Sequence, residues 1–408
     1  MKREDVFTPN SPPTHTYVAR NERELELQLE MALKVKNTLI SISGPSKTGK
    51  TALVSRVLKS DNIIKIAGSE IVSEGALWRR ALAWMEVPGQ ETRLTQIEAG
   101  AKVPILPAIA DISGKYVQST SSTYSDDGLA RVCHEIADSD FLIFIDDFHY
   151  INRDVQKAVA KDIKTGLEHG LKICVASVPH RADDAVRSNH ELAGRISNID
   201  TDYWTNSELV QIGTLGFKAL NVGVDNEVLG QMASQCFGSP QLMQTMCLNV
   251  CVVKNIEDRY FLYRDIDVTE EDIKKALRMA SRTTNFQHLV RQLHLGPRVR
   301  GTERKEFRFS DHSRGDVYRA VLLAISADPP LLNMQYRVVT ERVAAVCLED
   351  NQPNGSSVNE ALKQMDKISK EAEEPDVLEW DEENLSIMNP YFMFYLRNSD
   401  ILGRIQAE

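Results

Sequence analysis

The chain has 408 residues, 42% of them hydrophobic and 26% charged, an ordinary composition for a soluble protein with room for two or three cores. Its 48 Lys+Arg against 58 Asp+Glu leave a net charge of −10, which excludes a global basic field drawing it onto nucleic acid or an anionic membrane. No apolar run approaches bilayer length and the N-terminus lacks a secretory core. The six cysteines (Cys133, Cys174, Cys236, Cys247, Cys251 and Cys347) lie in apolar segments with no close CxxC pair. A cytoplasmic protein with reduced thiols is therefore expected, without disulfide framework, zinc site or membrane span.

Residues 1–15 are polar and proline-containing and are predicted to be disordered. Leu25, Leu29, Ala32 and Leu33 recur at helical spacing and predict a helix within 22–35. A buried strand (38–43, TLISIS), a glycine-rich turn and a helix over 52–59 follow, then a second strand (63–66) and a helix holding Leu77, Trp78, Leu82 and Trp84. Residues 100–128 form a polar insertion. Helix resumes at 129–137, a fully apolar strand at 141–145 (FLIFI) marks the sheet centre, and a helix over 154–169 leads to a strand at 172–176 and a weaker one at 196–199. Strands alternating with helices predict an α/β class built on a parallel sheet covered on both faces.

From residue 207 onward the pattern is helix after helix: 207–220, 226–237, 240–253 and 269–281, the last opening on the capping sequence Thr269-Glu270-Glu271-Asp272. Helices at 316–327, 335–347 and 358–372 then precede two short strands (377–380 and 385–388) around the turn Asp381-Glu382-Glu383-Asn384, and a final helix starts at Asn389-Pro390. Three helices followed by a hairpin is the order of a winged helix. The expected division is a disordered 1–15, an α/β domain over 16–205, a helical lid over 206–295, a basic linker over 296–313 and a winged helix over 314–408.

The chemistry centres on Gly44-Pro45-Ser46-Lys47-Thr48-Gly49-Lys50-Thr51, a complete G-x-x-x-x-G-K-[ST] between strand and helix. Gly44 and Gly49 let the backbone wrap a phosphate with N–H groups turned inward, at a helix N-terminus that already favours negative charge. Lys50 is expected to reach the β- and γ-phosphates and Thr51 to offer its hydroxyl to Mg²⁺, so ATP and Mg²⁺ are the expected cofactors. Asp146 and Asp147 end the apolar strand. Asp146 suits the metal side; Asp147 stands where a glutamate often polarises the attacking water, and its shorter arm predicts slow hydrolysis. An acidic pair that only caps the strand end is the alternative.

TYVARNEREL (16–25), GPSKTGKT, FLIFIDDFH (141–149) and GSPQLM (238–243), in that order, resemble the AAA+/STAND branch of P-loop ATPases, over about 16–249. Within that branch the likeness is to origin-initiator-type and archaeal-type ATPases and to STAND switch proteins of bacterial antiphage defence; NPYFMFYLR (389–397) resembles the last winged-helix element of the archaeal-type group. The resemblance implies that Tyr17, Val18 and Arg20 pack around adenine, a lead-in to the N-terminal helix being the alternative, and that Ser177, a weak match in residue type, is the polar sensor of the γ-phosphate. Arg195 stands where initiator-type relatives carry an arginine finger, a surface ion-pair arginine being the alternative. Gly238 and Pro240 match the GxP turn of the lid. Two departures stand out: Val178 replaces an arginine common after that strand, with Arg181 three residues on, and Gln241 replaces a γ-phosphate arginine. The loss of that charge favours a switch over a motor.

Partners follow from local charge. Residues 371–383 carry eight acidic side chains and no basic one, so the wing would be repelled by DNA; Lys363, Lys367 and Lys370 form a stripe that a solvated face explains equally well. Residues 282–308 hold seven basic against two acidic residues, including Arg298, Arg300, Arg304, Lys305 and Arg308, and fit a phosphate contact, an acidic protein surface or a linker. The expectation is a slowly hydrolysing ATPase switch that controls its own assembly (a homo-oligomer) or a separate effector protein, by resemblance in antiphage defence. A DNA-binding initiator-like or transposition-regulator-like ATPase is the alternative.

Overall fold

The computed structural model describes every residue except 21, 86–123, 179–191, 193, 284–285, 299–303, 349–350, 373–376 and 408. Most of the polar insertion, Arg181 and Arg300 lie outside the described residues. By its contacts the chain divides into two compact units, one of residues 19–44 and 49–202, the other of residues 1–18, 45–48 and 203–408.

The first unit is an α/β layer structure. Its five strands, β1 (Leu39–Ser43), β2 (Ile63–Ala67), β3 (Leu142–Asp146), β4 (Lys172–Ser177) and β5 (Ile196–Asp200), all pair in parallel in the order β2-β3-β4-β1-β5. Alternation sorts the side chains. Ile64, Ile66, Ile143, Ile145, Ile173 and Val175 face one apolar layer with Leu77, Trp78, Val132 and Ile163. Ile63, Leu142, Phe144, Cys174, Ala176, Ile40 and Ile42 face the other, with Leu25, Leu29, Leu53 and Val54. Each large side chain buried this way contributes about 1.5–3 kcal/mol, which fixes the register, because a one-residue slip would exchange the two faces. Trp78 is fully buried, and its indole N–H donates to Asp162 Oδ2 at 2.8 Å.

This strand order delivers the site. All five strands run the same way, so their carboxyl ends share one edge. The chain leaves β1 for the far edge strand β2 and returns through β3 and β4, and such a reversal opens a crevice at the carboxyl ends. The loop after β1, Ser177 at the end of β4 and Asp146 at the end of β3 follow one another along that edge.

The second unit is mainly helical. Helices Asn206–Ala219, Asn226–Ser234, Pro240–Val253 and Glu270–Arg282 match the expected periodicity, and Thr205/Glu208 and Thr269/Asp272 form capping boxes. Beyond them helices Val317–Ser326, Tyr336–Val346 and Gly355–Lys370 accompany an antiparallel sheet in which Asn384–Ile387 lies between Asn333–Gln335 and Leu378–Trp380. Helices Pro390–Asn398 and Ile401–Ala407 end the chain.

Three features depart from expectation. Residues 1–15, expected to be disordered, contain a short helix (Arg3–Val6), and Val6 and Phe7 are buried, the Phe7 ring lying edge-on 5.2 Å from Phe217. A polar average had hidden an apolar pair whose burial offsets the ordering of the segment. The helix Gln287–Leu295 was not expected, being masked by its basic surroundings. Within 296–313, expected as a linker, Phe307 and Phe309 are buried and Phe307–Arg308 pairs antiparallel with Arg314–Gly315.

Candidate functional site

The phosphate loop begins where β1 ends. Ser43 pairs with Ser177, and the Gly44 N–H donates to the Ser177 carbonyl at 3.3 Å, fastening the loop's entry to β4. At its exit Gly49 has φ 96°, a left-handed conformation that a side chain would strain, and directly precedes the helix Lys50–Val57. No side chain caps that helix, and its first turn presents backbone N–H groups at the positive end of the helix dipole. Lys47 is also left-handed (φ 65°), and the Thr48 hydroxyl closes the turn onto the Pro45 carbonyl at 2.9 Å.

Lys50 is buried, with Nζ donating to the Gly44 carbonyl at 2.8 Å. Burial pulls its pKa below the ordinary lysine value, and the charges of Asp147 and Asp146 oppose that shift. The ammonium is thus desolvated in advance at the loop's mouth and tied to a neutral carbonyl that a phosphate oxygen can outcompete. Thr51 Oγ1 donates to Asp146 Oδ2 at 2.8 Å, across 95 positions of sequence. Lysine, hydroxyl and carboxylate therefore lie together at the carboxyl edge of the sheet.

Asp147 has φ 55° and ψ 50° and opens the tight turn Phe148–Tyr150. Burial raises its pKa above the ordinary aspartate value, the Asp146 charge raises it further, and Lys50 and Lys65 oppose the shift. This left-handed backbone accounts for the residue type: aspartate visits that region far more readily than glutamate. Gly68 explains how the turn is held. A Cβ there would stand 2.2 Å from the Asp147 carbonyl oxygen and 2.9 Å from its carbon. Gly68→Ala is expected to destabilise the first unit by about 1–3 kcal/mol through backbone overpacking. A lowered urea midpoint with unchanged slope checks this; wild-type stability would show that the turn yields freely.

The remaining expected residues distribute as follows. Ser177 is buried and its hydroxyl has no hydrogen-bond partner among the described residues, which fits a group awaiting a ligand oxygen. Arg20 is buried with its guanidinium on the Thr201 and Asp202 carbonyls beyond β5, while Val18 is buried in the core of the second unit; Tyr17 belongs to that unit also. Arg195 pairs with Glu168 at 2.9 Å. Pro240 opens its helix behind the cap Ser239, with Gly238 left-handed at φ 69°, and Gln241 bonds Asn10 at 2.9 Å.

Two further residues had no sequence signal. Lys65 on β2 lies 3.0 Å from Asp146 Oδ2, and a lone lysine in an edge strand announces nothing. Trp204 donates its indole N–H to the Thr48 carbonyl at 2.8 Å within the second unit, where Lys47 Nζ also lies 3.9 Å over the Tyr391 ring.

The residues fit a magnesium nucleotide: a glycine-bounded turn leading into a helix N-terminus, a buried lysine, an orphaned serine hydroxyl, and two oxygens of the kind Mg²⁺ accepts alongside phosphate and water. When bound, the metal supplies charge neutralisation between the phosphates.

No family model matches the chain, and no curated protein matches it. Among solved structures, a Walker-type ATPase of Pyrococcus abyssi is similar over 94% of this chain and 100% of its own, at 14% identity and TM-score 0.52. Cdc6p of Pyrobaculum aerophilum is similar over 99% and 98% (13% identity, TM-score 0.46). The ORC2 protein of Aeropyrum pernix, in its ADPNP-ADP complexes, is similar over 99% and 98% (12% identity, TM-score 0.48). At these identities likeness means fold alone, and only the first overlap is close enough to carry even that. Together with the parallel sheet and its loop, it shows that the chain has the α/β fold of a P-loop NTPase.

Proposed function

We propose that the chain binds ATP with Mg²⁺, hydrolyses it slowly, and uses the bound nucleotide as a switch over its own assembly or over a separate effector protein. The convergence of Lys50, Thr51 and Asp146 at the end of the sheet carries this reading. The loop N–H groups and Lys50 would hold the β- and γ-phosphates, Thr51 and Asp146 the metal side, and Ser177 the γ-phosphate oxygen nearest β4. Asp147 would take the proton of the attacking water as its oxygen bonds the γ-phosphorus and the bond to the β,γ-bridging oxygen breaks, releasing ADP and phosphate. Tyr17, Val18 and Arg20 remain the residues proposed for the adenine side. Arg195, paired with Glu168, would exchange that carboxylate for the nucleotide of a neighbouring copy. Gln241 supports a switch: no arginine from that position adds charge to the γ-phosphate.

We read the C-terminal helices and three-stranded sheet as a winged helix that meets protein rather than DNA. Lys363 pairs with Glu382 at 2.8 Å, Lys370 with Asp366 at 2.8 Å and Lys367 with Glu371 at 4.0 Å, so the lysine stripe is neutralised within the chain. Arg304 of the basic stretch pairs with Asp316 at 2.8 Å and donates to the Leu295 and Pro297 carbonyls. These pairings weigh against the DNA-loading alternative. The antiphage role rests on resemblance alone.

Light scattering should find an ATP-dependent increase in mass, or ATP-dependent capture of one effector, with ADP ineffective. Duplex DNA affinity should stay at background in low salt. Tight DNA binding that falls steeply with salt, and no nucleotide-dependent assembly, would instead establish the DNA-loading reading.

A further inference from the structure

We propose that Lys65 is a resident counter-ion of the metal-side carboxylate, which a divalent cation must displace on entering with nucleotide. Lys65 Nζ lies 3.0 Å from Asp146 Oδ2, the same oxygen that accepts from Thr51 Oγ1 at 2.8 Å. One oxygen thus holds both the metal-side hydroxyl and a full positive charge.

Strand register explains the placement. β2 is the edge strand, with Ala67 opposite Asp146 and Lys65 opposite Phe144. Lys65 is two residues short of Asp146's partner and on the same face, so its four-carbon stem runs forward along the strand to the carboxylate. A lysine that merely blunts a sheet edge would point its charge into water. This one is half exposed but bonded to a carboxylate that is only 15% exposed.

Two opposite consequences follow, both resting on the Mg²⁺-nucleotide reading above. A divalent ion near Asp146 meets the ammonium as a like charge, so Lys65 raises the metal concentration needed for binding. Without metal, Lys65 covers the Asp146 charge and spares the incoming phosphates its repulsion. The chain would therefore hold nucleotide more evenly with and without Mg²⁺ than a loop with a bare carboxylate.

Lys65→Met keeps the stem and removes the charge; Lys65→Arg keeps the charge. Binding of a fluorescent ATP analogue is titrated with Mg²⁺, and separately measured in EDTA. For Lys65→Met the half-saturating Mg²⁺ should fall about threefold to tenfold, and affinity in EDTA should fall by a similar factor, as expected of a partly exposed ion pair. Lys65→Arg should restore both values, which a merely structural lysine would not require. A Met variant whose Mg²⁺ curve superimposes on wild type, or lies at higher Mg²⁺, overturns the assignment to Lys65 while leaving the nucleotide reading intact. Wild-type protein that binds the analogue under neither condition overturns both.

Discussion

Lys50→Ala is expected to weaken ATP and ADP binding by roughly a hundredfold or more, from the loss of a buried charge-assisted contact of about 3 kcal/mol. Lys50 is placed at a cost: its ammonium is desolvated and its pKa is held down by burial, while its Nζ donates to the Gly44 carbonyl. A desolvated ammonium gains strongly from a ligand that brings concentrated negative charge to it, and a polyphosphate does. The alanine variant removes that desolvated charge, but it also uncovers Asp146 and Asp147, whose charges face Lys50. Folding must therefore be assayed separately from binding. Thermal unfolding does both. Wild type should gain about 2.7 kcal/mol of stability at ligand concentrations a hundred times the dissociation constant, and Lys50→Ala should gain almost nothing at the same concentration. An intact variant that is still stabilised by ATP would sink the site assignment, because no other side chain in the loop offers a buried cation.

The sequence discloses this site because its parts are local patterns. Residues 44–51 must be contiguous to wrap a phosphate, and Asp146 follows five apolar residues that can only be a central strand, so both stand out in the one-dimensional order. Thr51 meeting Asp146 then follows from strand order, which the alternation of strands and helices limits to few topologies. Lys65 was not legible. Its role depends on which strand neighbours β3, and nothing in the surrounding IIKIA ties that lysine to an aspartate 81 positions later (146 − 65). Trp204 was hidden for the same reason, since its indole reaches a carbonyl 156 residues away. The strand Asn333–Gln335 is three residues long, too short for any periodicity, and exists because Asn384–Ile387 offers it an edge. Val6 and Phe7 were lost in a polar average. Short-range signals survive in sequence, whereas contacts made by folding do not.

Asp147→Asn is expected to lower hydrolysis by about a hundredfold or more, the usual contribution of a positioned general base, while leaving ATP affinity within a few-fold of wild type. The side chain is nearly unchanged in shape, and asparagine tolerates the left-handed backbone at φ 55° as well as aspartate does, so the turn Phe148–Tyr150 should stay in place. What disappears is proton affinity. Burial and the Asp146 charge push the Asp147 pKa above that of an ordinary aspartate, which makes it a better base than its type suggests, and the amide has no comparable basicity. The substitution also removes one member of a repelling carboxylate pair, so the empty variant should be no less stable than wild type. Under single-turnover conditions, phosphate release should slow while bound ATP persists, and any ATP-dependent assembly should last longer than in wild type. Hydrolysis at the wild-type rate would show that Asp147 caps its turn and that the attacking water is activated elsewhere. A parallel collapse of ATP affinity would move Asp147 from the water to the metal side and leave Asp146 with the lesser part.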